Sequence, residues 1–217
     1  MKREKQPDTP WNEGQWERFM LKSDVRAAKF GELLETLIDH PNRDEIIDHE
    51  MGWDKPLPPP DDDEEPFEPP DLSDIDPNDE EIKEMMRRDE EALHAIPAYT
   101  KGFKYGLKVH KFLKKYLEVE EDEPDEDIVS AFSNSLIIAA KIAGGHGMGY
   151  DDDVLCGNIV CCKRSLEAAR KCLESLESLK ARSVIPAKTL DPLIAEGEDI
   201  RRLVEERIAE LRSRVWW

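Results

Sequence analysis

The stretch IAAKIAGGHGMGYDDDVLCGN, from Ile138 to Asn158, holds most of the residues in this chain whose types suggest chemistry. His146 with Asp151, Asp152 and Asp153 offers nitrogen and oxygen donors of the kind that hold a divalent metal. Such a site needs rigid, convergent ligands, which a glycine corner does not supply by itself. The glycines do not form the G-x-x-x-x-G-K-[ST] pattern, and no lysine follows to meet a phosphate. The same residues also make a helix corner. Gly144 and Gly145 would take left-handed backbone at the end of one helix. The aspartates would cap and charge-match the start of the next. His146 would favour the C-terminal end of the first helix when protonated. The corner is the reading adopted here, with the metal site as its competitor.

Four further groups of residues are candidates for chemistry or binding. In RRDEEALHAI, Arg88, Asp89 and His94 have the form R-D-x4-H. This resembles the motif of the helical HEPN ribonucleases, which implies a cation on an RNA phosphate and an imidazole moving a proton. In LIDHPNRDEIIDHE, the residues Asp39, His40, Asp44, Asp48, His49 and Glu50 read as solvated charge. Lys101, Lys104, Lys108, Lys111, Lys114 and Lys115 share one face of a helix and are the candidate nucleic-acid contacts. Trp11, Trp16, Trp216 and Trp217 are costly to leave in water, and Trp is enriched where subunits meet, so they are candidate interface residues.

Charge limits the partners. The net charge is −19, but residues 48–93 carry 19 acidic against 4 basic side chains, whereas residues 94–217 carry 21 against 19. Long-range repulsion disfavours nucleic acid, leaving only a local basic face for it. The longest apolar run, Leu136 to Ala143, is interrupted by Lys141, so no membrane span is expected. MKREKQPDTPW is followed by no apolar core and does not read as a signal peptide. Cys156, Cys161, Cys162 and Cys172 fall within one helical segment, where disulfide geometry is rare. They read as reduced packing residues, which implies a cytoplasmic protein. No cofactor is expected.

The elements that must position these groups are helices. Residues 1–53 read as an N-terminal docking segment of two short helices, ended by His40-Pro41-Asn42, that binds the main domain or a protein partner. Residues 54–80, DKPLPPPDDDEEPFEPPDLSDIDPNDE, read as an acidic proline-rich linker in which Phe67, Leu72 and Ile75 are isolated apolar points. Residues 81–217 have the period of a bundle. A first helix ends at Leu117, with a break or start at Pro97. A second is apolar on a broad face and stops in the glycines. The third keeps Leu155, Ile159, Cys162, Leu166, Ala169, Leu173 and Leu176 at strict 4-3 spacing. Beside that stripe run Cys161, Ser165, Ala168, Cys172 and Ser175, small enough to let another helix approach. After a turn at Ser183 to Pro186, the last helix carries Ile200, Val204, Ile208 and Leu211. The expected fold is all-α: an up-down-up-down antiparallel four-helix bundle with an N-terminal helical extension.

In AYTKGFKYGLKVHKFLKKYL, AFSNSLIIAAKIAGGHG, RSLEAARKCLESLESL and LIAEGEDIRRLVEERIAELRS, residues from about 95 to 214 resemble a known family. It is the four-helix-bundle family of proteins encoded in intervening sequences of 23S ribosomal RNA genes, to which the accessory variability proteins of retroelements are related. The resemblance implies a bundle that assembles into a cyclic homopentamer and has no enzymatic activity. Its basic members bind nucleic acid. The expectation is therefore a non-enzymatic homo-oligomeric scaffold or adaptor, carried by Leu155, Ile159, Leu166, Leu173, Ile200, Val204 and Leu211. A nucleic-acid-binding accessory protein and a HEPN-like ribonuclease are the alternatives.

Overall fold

The structure is a computed structural model that describes residues 9–55, 80–117 and 124–217. Among the described residues it is all-helical: α1 (Glu13–Thr36), α2 (Arg43–Met51), α3 (Glu80–His94), α4 (Pro97–Leu117), α5 (Glu126–Met148), α6 (Asp152–Ala181) and α7 (Ala187–Arg212). Of the described residues, 9–16 cluster with 84–117 and 124–217 in one compact unit, and 17–55 with 80–83 form a second. The linker expected over residues 54–80 lies almost wholly outside the described residues.

In the first unit α4 packs on α5, α5 on α6 and α6 on α7, and α7 also meets α4. Val109, Leu113, Ile159, Leu176, Val204 and Leu211 are fully buried between them. The long helix expected to end at Leu117 is two helices. Pro97 opens α4, where its missing N–H costs nothing, and the Thr100 hydroxyl donates to the His94 carbonyl across the join at 2.7 Å. Asp125 caps α5 by accepting from the Asp127 N–H at 3.0 Å. Arg182, just past α6, then clasps Asp125 and Asp127 at 2.7 and 2.6 Å. Arg182 holds the Asp125 carboxyl below its usual range. The stabilisation from that clasp is therefore complete above the unfolded carboxyl pKa, about 3.9, and is lost as pH falls through the lower folded value.

The small-residue stripe of α6 does what its spacing implies. Ser165 is fully buried and its hydroxyl donates to the Ile138 carbonyl at 2.7 Å, while Ser175 donates to the Ser130 hydroxyl at 2.9 Å. All four cysteines are buried. Burial pushes the Cys162 thiol up to about 12 and Cys172 to about 11, so both remain protonated packing groups.

Two expectations need correction, and a third observation concerns the apolar length of α5. The helix does not stop at Gly144 and Gly145; α5 runs through them to Met148, and the left-handed residue is Gly149, with φ 101°. Close packing explains the difference: a Cβ on Gly145 would lie 2.7 Å from the Asn158 side-chain oxygen and 3.1 Å from its carbonyl on α6. The N-terminal helices are not both short either. α1 spans 24 residues, and α2 begins only after His40-Pro41-Asn42. Within the second unit, Phe30 and Trp53 rings meet at 5.5 Å, Arg26 lies over Trp53, and α2 ends on left-handed Gly52. Finally, α5 is long and apolar enough by length and composition to cross a membrane, with a mean hydropathy of 1.4 over 18 residues. The uninterrupted run is short, but helical alanines and glycines extend the apolar length past Lys141.

Gly144 has open space around its missing Cβ, unlike its neighbour. Gly144→Ala is expected to stabilise the fold by about 0.5–1 kcal/mol through helix propensity. Gly145→Ala is expected to destabilise it by about 1–3 kcal/mol through overpacking. Urea unfolding of the two variants checks this; destabilisation by both would restore the left-handed cap.

Candidate functional site

Because α5 stays helical to Met148, His146 is carried into the interior rather than onto a loop. Its side chain is only 7% exposed. The Asn158 amide then donates to the Gly149 carbonyl at 3.0 Å, fixing the corner that aims Tyr150 back at α5. Nδ1 of His146 lies 2.6 Å from the Tyr150 hydroxyl, and Nε2 lies 3.1 Å from Asp89 Oδ1 on α3. Arg207 of α7 donates from Nη2 to the same hydroxyl at 3.0 Å, and from Nη1 to both oxygens of Glu210 at 2.8 and 2.7 Å. Arg207 and Arg214 both lie over the Tyr150 ring, 5.4 and 5.3 Å from its centre.

The network satisfies itself with one placement of hydrogens. Tyr150 accepts from Arg207 and donates to Nδ1, and the imidazole Nε2–H donates to Asp89. Burial raises the Tyr150 phenol above its ordinary value despite the opposing pull of Arg207, so it remains a protonated donor. Such an arrangement orients and binds; it supplies no activated nucleophile.

These groups line a cleft of about 610 Å³ together with Leu203 of α7 and, from the α3–α4 junction, Ala92, Ala95, Ile96, Pro97 and Ala98. A second, apolar groove of about 210 Å³ lies between α4 and α5. Tyr99, Phe103, Gly106, Leu136, Ala139 and Ala143 are among its walls. A Cβ on Gly106 would sit 2.6 Å from the Ser135 carbonyl, so the groove floor is a close helix contact. Around it Phe103 and Leu107 on α4, and Val129, Leu136 and Ile137 on α5, are exposed.

The residues singled out in the sequence are distributed differently from expectation. His146 is not brought together with Asp151, Asp152 and Asp153. Its ring nitrogens are occupied by Tyr150 and Asp89, and among the described residues no three His, Cys, Asp or Glu side chains gather to hold a metal. Asp151 stands at the N-cap of α6 without a side-chain cap bond, Asp153 lies in the first turn, and Asp152 accepts from Trp216 at 3.0 Å. The R-D-x4-H motif is also split: Arg88 pairs with Glu84, Asp89 with His146, and His94 lies near Glu90 and the Tyr99 ring. His49 meets Asp54 at 2.9 Å on an exposed surface.

Lys101, Lys104, Lys108, Lys111, Lys114 and Lys115 are all exposed, but Lys108 pairs with Glu196 and Lys115 rests over Phe112 and Tyr116. Among the tryptophans, Trp16 is half-buried: a methyl added to Gly157 would come within 2.9 Å of its ring. Glu13 anchors that segment through Arg212 and Lys163. Trp217 packs on the core, leaving Trp11 and Trp216 as the exposed pair. Arg207 and Arg214 escaped the sequence reading because nothing in their spacing links them to His146; Tyr150, four residues after His146 and directly before three aspartates, was the one visible signal.

No family model matches this chain, and no curated protein or solved structure matches it.

The shared hydrogen bonds make Tyr150 and His146 energetically dependent. Tyr150→Phe should cost about 1–3 kcal/mol, by removing a partner from two buried groups. A double-mutant cycle with His146→Gln should show coupling of at least about 0.5 kcal/mol in urea unfolding. Strict additivity would mean the two side chains do not share a network.

Proposed function

We propose that this protein is a non-enzymatic homo-oligomeric scaffold or adaptor, built on an up-down-up-down antiparallel four-helix bundle formed by α4 to α7. The bundle reading is supported by packing between successive helices and by the return contact of α7 on α4. It is supported too by Ser178, near the end of α6, donating to Asp127 at the start of α5 at 2.6 Å. The single observation that carries the functional reading is the exposed apolar strip along α4 and α5. Phe103, Leu107, Leu136 and Ile137 are all more than a third exposed around an apolar groove. A contiguous strip of this kind is what a subunit interface covers. A second copy of the chain is its proposed occupant, in line with the cyclic homo-oligomers that the family resemblance implies.

Light-scattering mass measurement tests this. The wild-type chain should give an integer multiple of 25.0 kDa. Leu107→Glu combined with Leu136→Glu should give the monomer mass with unchanged helicity. A wild-type monomer, or an oligomer unaffected by both charges, would sink the proposal.

A further inference from the structure

We propose that the cleft between the α3–α4 junction and α7 binds a small organic monocarboxylate. Its acid group would be received by Arg214 and Arg207, and its apolar body would lie along Ala92, Ala95 and Pro97.

The cation end is prepared for an acid. Arg214 forms no ion pair among the described residues; it lies over the Tyr150 ring and donates one hydrogen bond to the Tyr150 carbonyl, at 3.2 Å. A guanidinium held by one hydrogen bond and a ring still has N–H groups left in the planar fork that suits a carboxylate. Arg207 is only 11% exposed, and its Nε is buried with no acceptor among the described residues. Its Nη1 already meets both oxygens of Glu210, so a carboxylate fits that guanidinium; Glu210, 60% exposed, is the group a ligand carboxylate would have to displace there.

The rest of the cleft narrows the ligand class. Glu206 and Glu210 line it, and Asp89 stands behind His146. The second charge of a dianionic phosphate would add to the repulsion from these carboxylates, so a single negative charge set against Arg214, which carries no ion pair among the described residues, is the better match. The opposite wall is alanine, isoleucine and proline, which favours an apolar body over a sugar or a polyanion. A volume of about 610 Å³ suits a small molecule rather than a macromolecular segment.

The test is equilibrium dialysis of the full chain against radiolabelled benzoate, a readout that does not depend on oligomeric state. Saturable binding at one site per chain is expected, with competition by unlabelled benzoate but not by benzamide or inorganic phosphate. Arg214→Gln should weaken binding by about tenfold or more, the effect of losing one charge-assisted pair. Ala95→Trp, which fills the apolar wall and leaves both arginines in place, should abolish it. Arg202→Gln, an exposed arginine paired with Asp199 outside the cleft, should bind as wild type. Circular dichroism confirms that each variant is folded; should Arg214→Gln unfold, Ala95→Trp decides. The proposal is overturned by the absence of saturable binding, by unchanged affinity in Ala95→Trp, by equal loss in Arg202→Gln, or by equal competition from phosphate or benzamide.

Discussion

The close approach of α5 and α6 is the constraint on which the rest of the structure depends. Two helices come this near only where side chains are absent or small. Gly145 provides that on α5, where any Cβ would press on Asn158. Ser165, Ala168, Cys172 and Ser175 provide it on α6, and all four are buried. The two serines keep their hydroxyls satisfied on Ile138 and Ser130, so the seam carries polar atoms without leaving them unpaired. At one end the Arg182 clasp on Asp125 and Asp127 closes it. At the other, Asn158 holds the Gly149 carbonyl.

The polar network follows from that seam. With α5 drawn onto α6 as far as Met148, His146 is almost wholly buried and finds its partners within the fold. Tyr150 reaches it from the corner, Asp89 from α3 and Arg207 from α7, so that one imidazole and one phenol bind together three helices and a turn. Buried polar groups of this kind act as a unit, each fixing the orientation of the next. The cleft beside them inherits its polarity at one end from this network and its apolar wall from the α3–α4 junction.

The outer face of α4 and α5 has the opposite character. There the helices meet over Gly106, and the residues around the groove are apolar and exposed. α5 is thus apolar on the side facing α6 and on part of its solvent side. This accounts for its high mean hydropathy: α5 is covered by α4 and α6 inside the fold and, on the reading given above, by another subunit outside it.

The sequence by itself determined the elements. The 4-3 spacing of Leu155 to Leu176 marks α6 as buried, and Pro97 and the Ser183–Pro186 turn mark boundaries, because helix periodicity and proline stereochemistry act over a few residues. It also implied that the small stripe of α6 would face a close neighbour. What only the tertiary structure decided was the meaning of the glycine–histidine stretch. Gly144 and Gly145 look alike in sequence, yet one faces open space and the other a helix backbone. His146 looked like a ligand because its partners were sought among the aspartates next to it. They lie instead 4 and 57 residues away, on Tyr150 and Asp89, and Arg207 is a further 57 residues from Tyr150. The contacts across 57 residues depend on how helices are docked and rotated, and no local pattern of residues encodes them; only the pair of His146 with Tyr150 was within local reach.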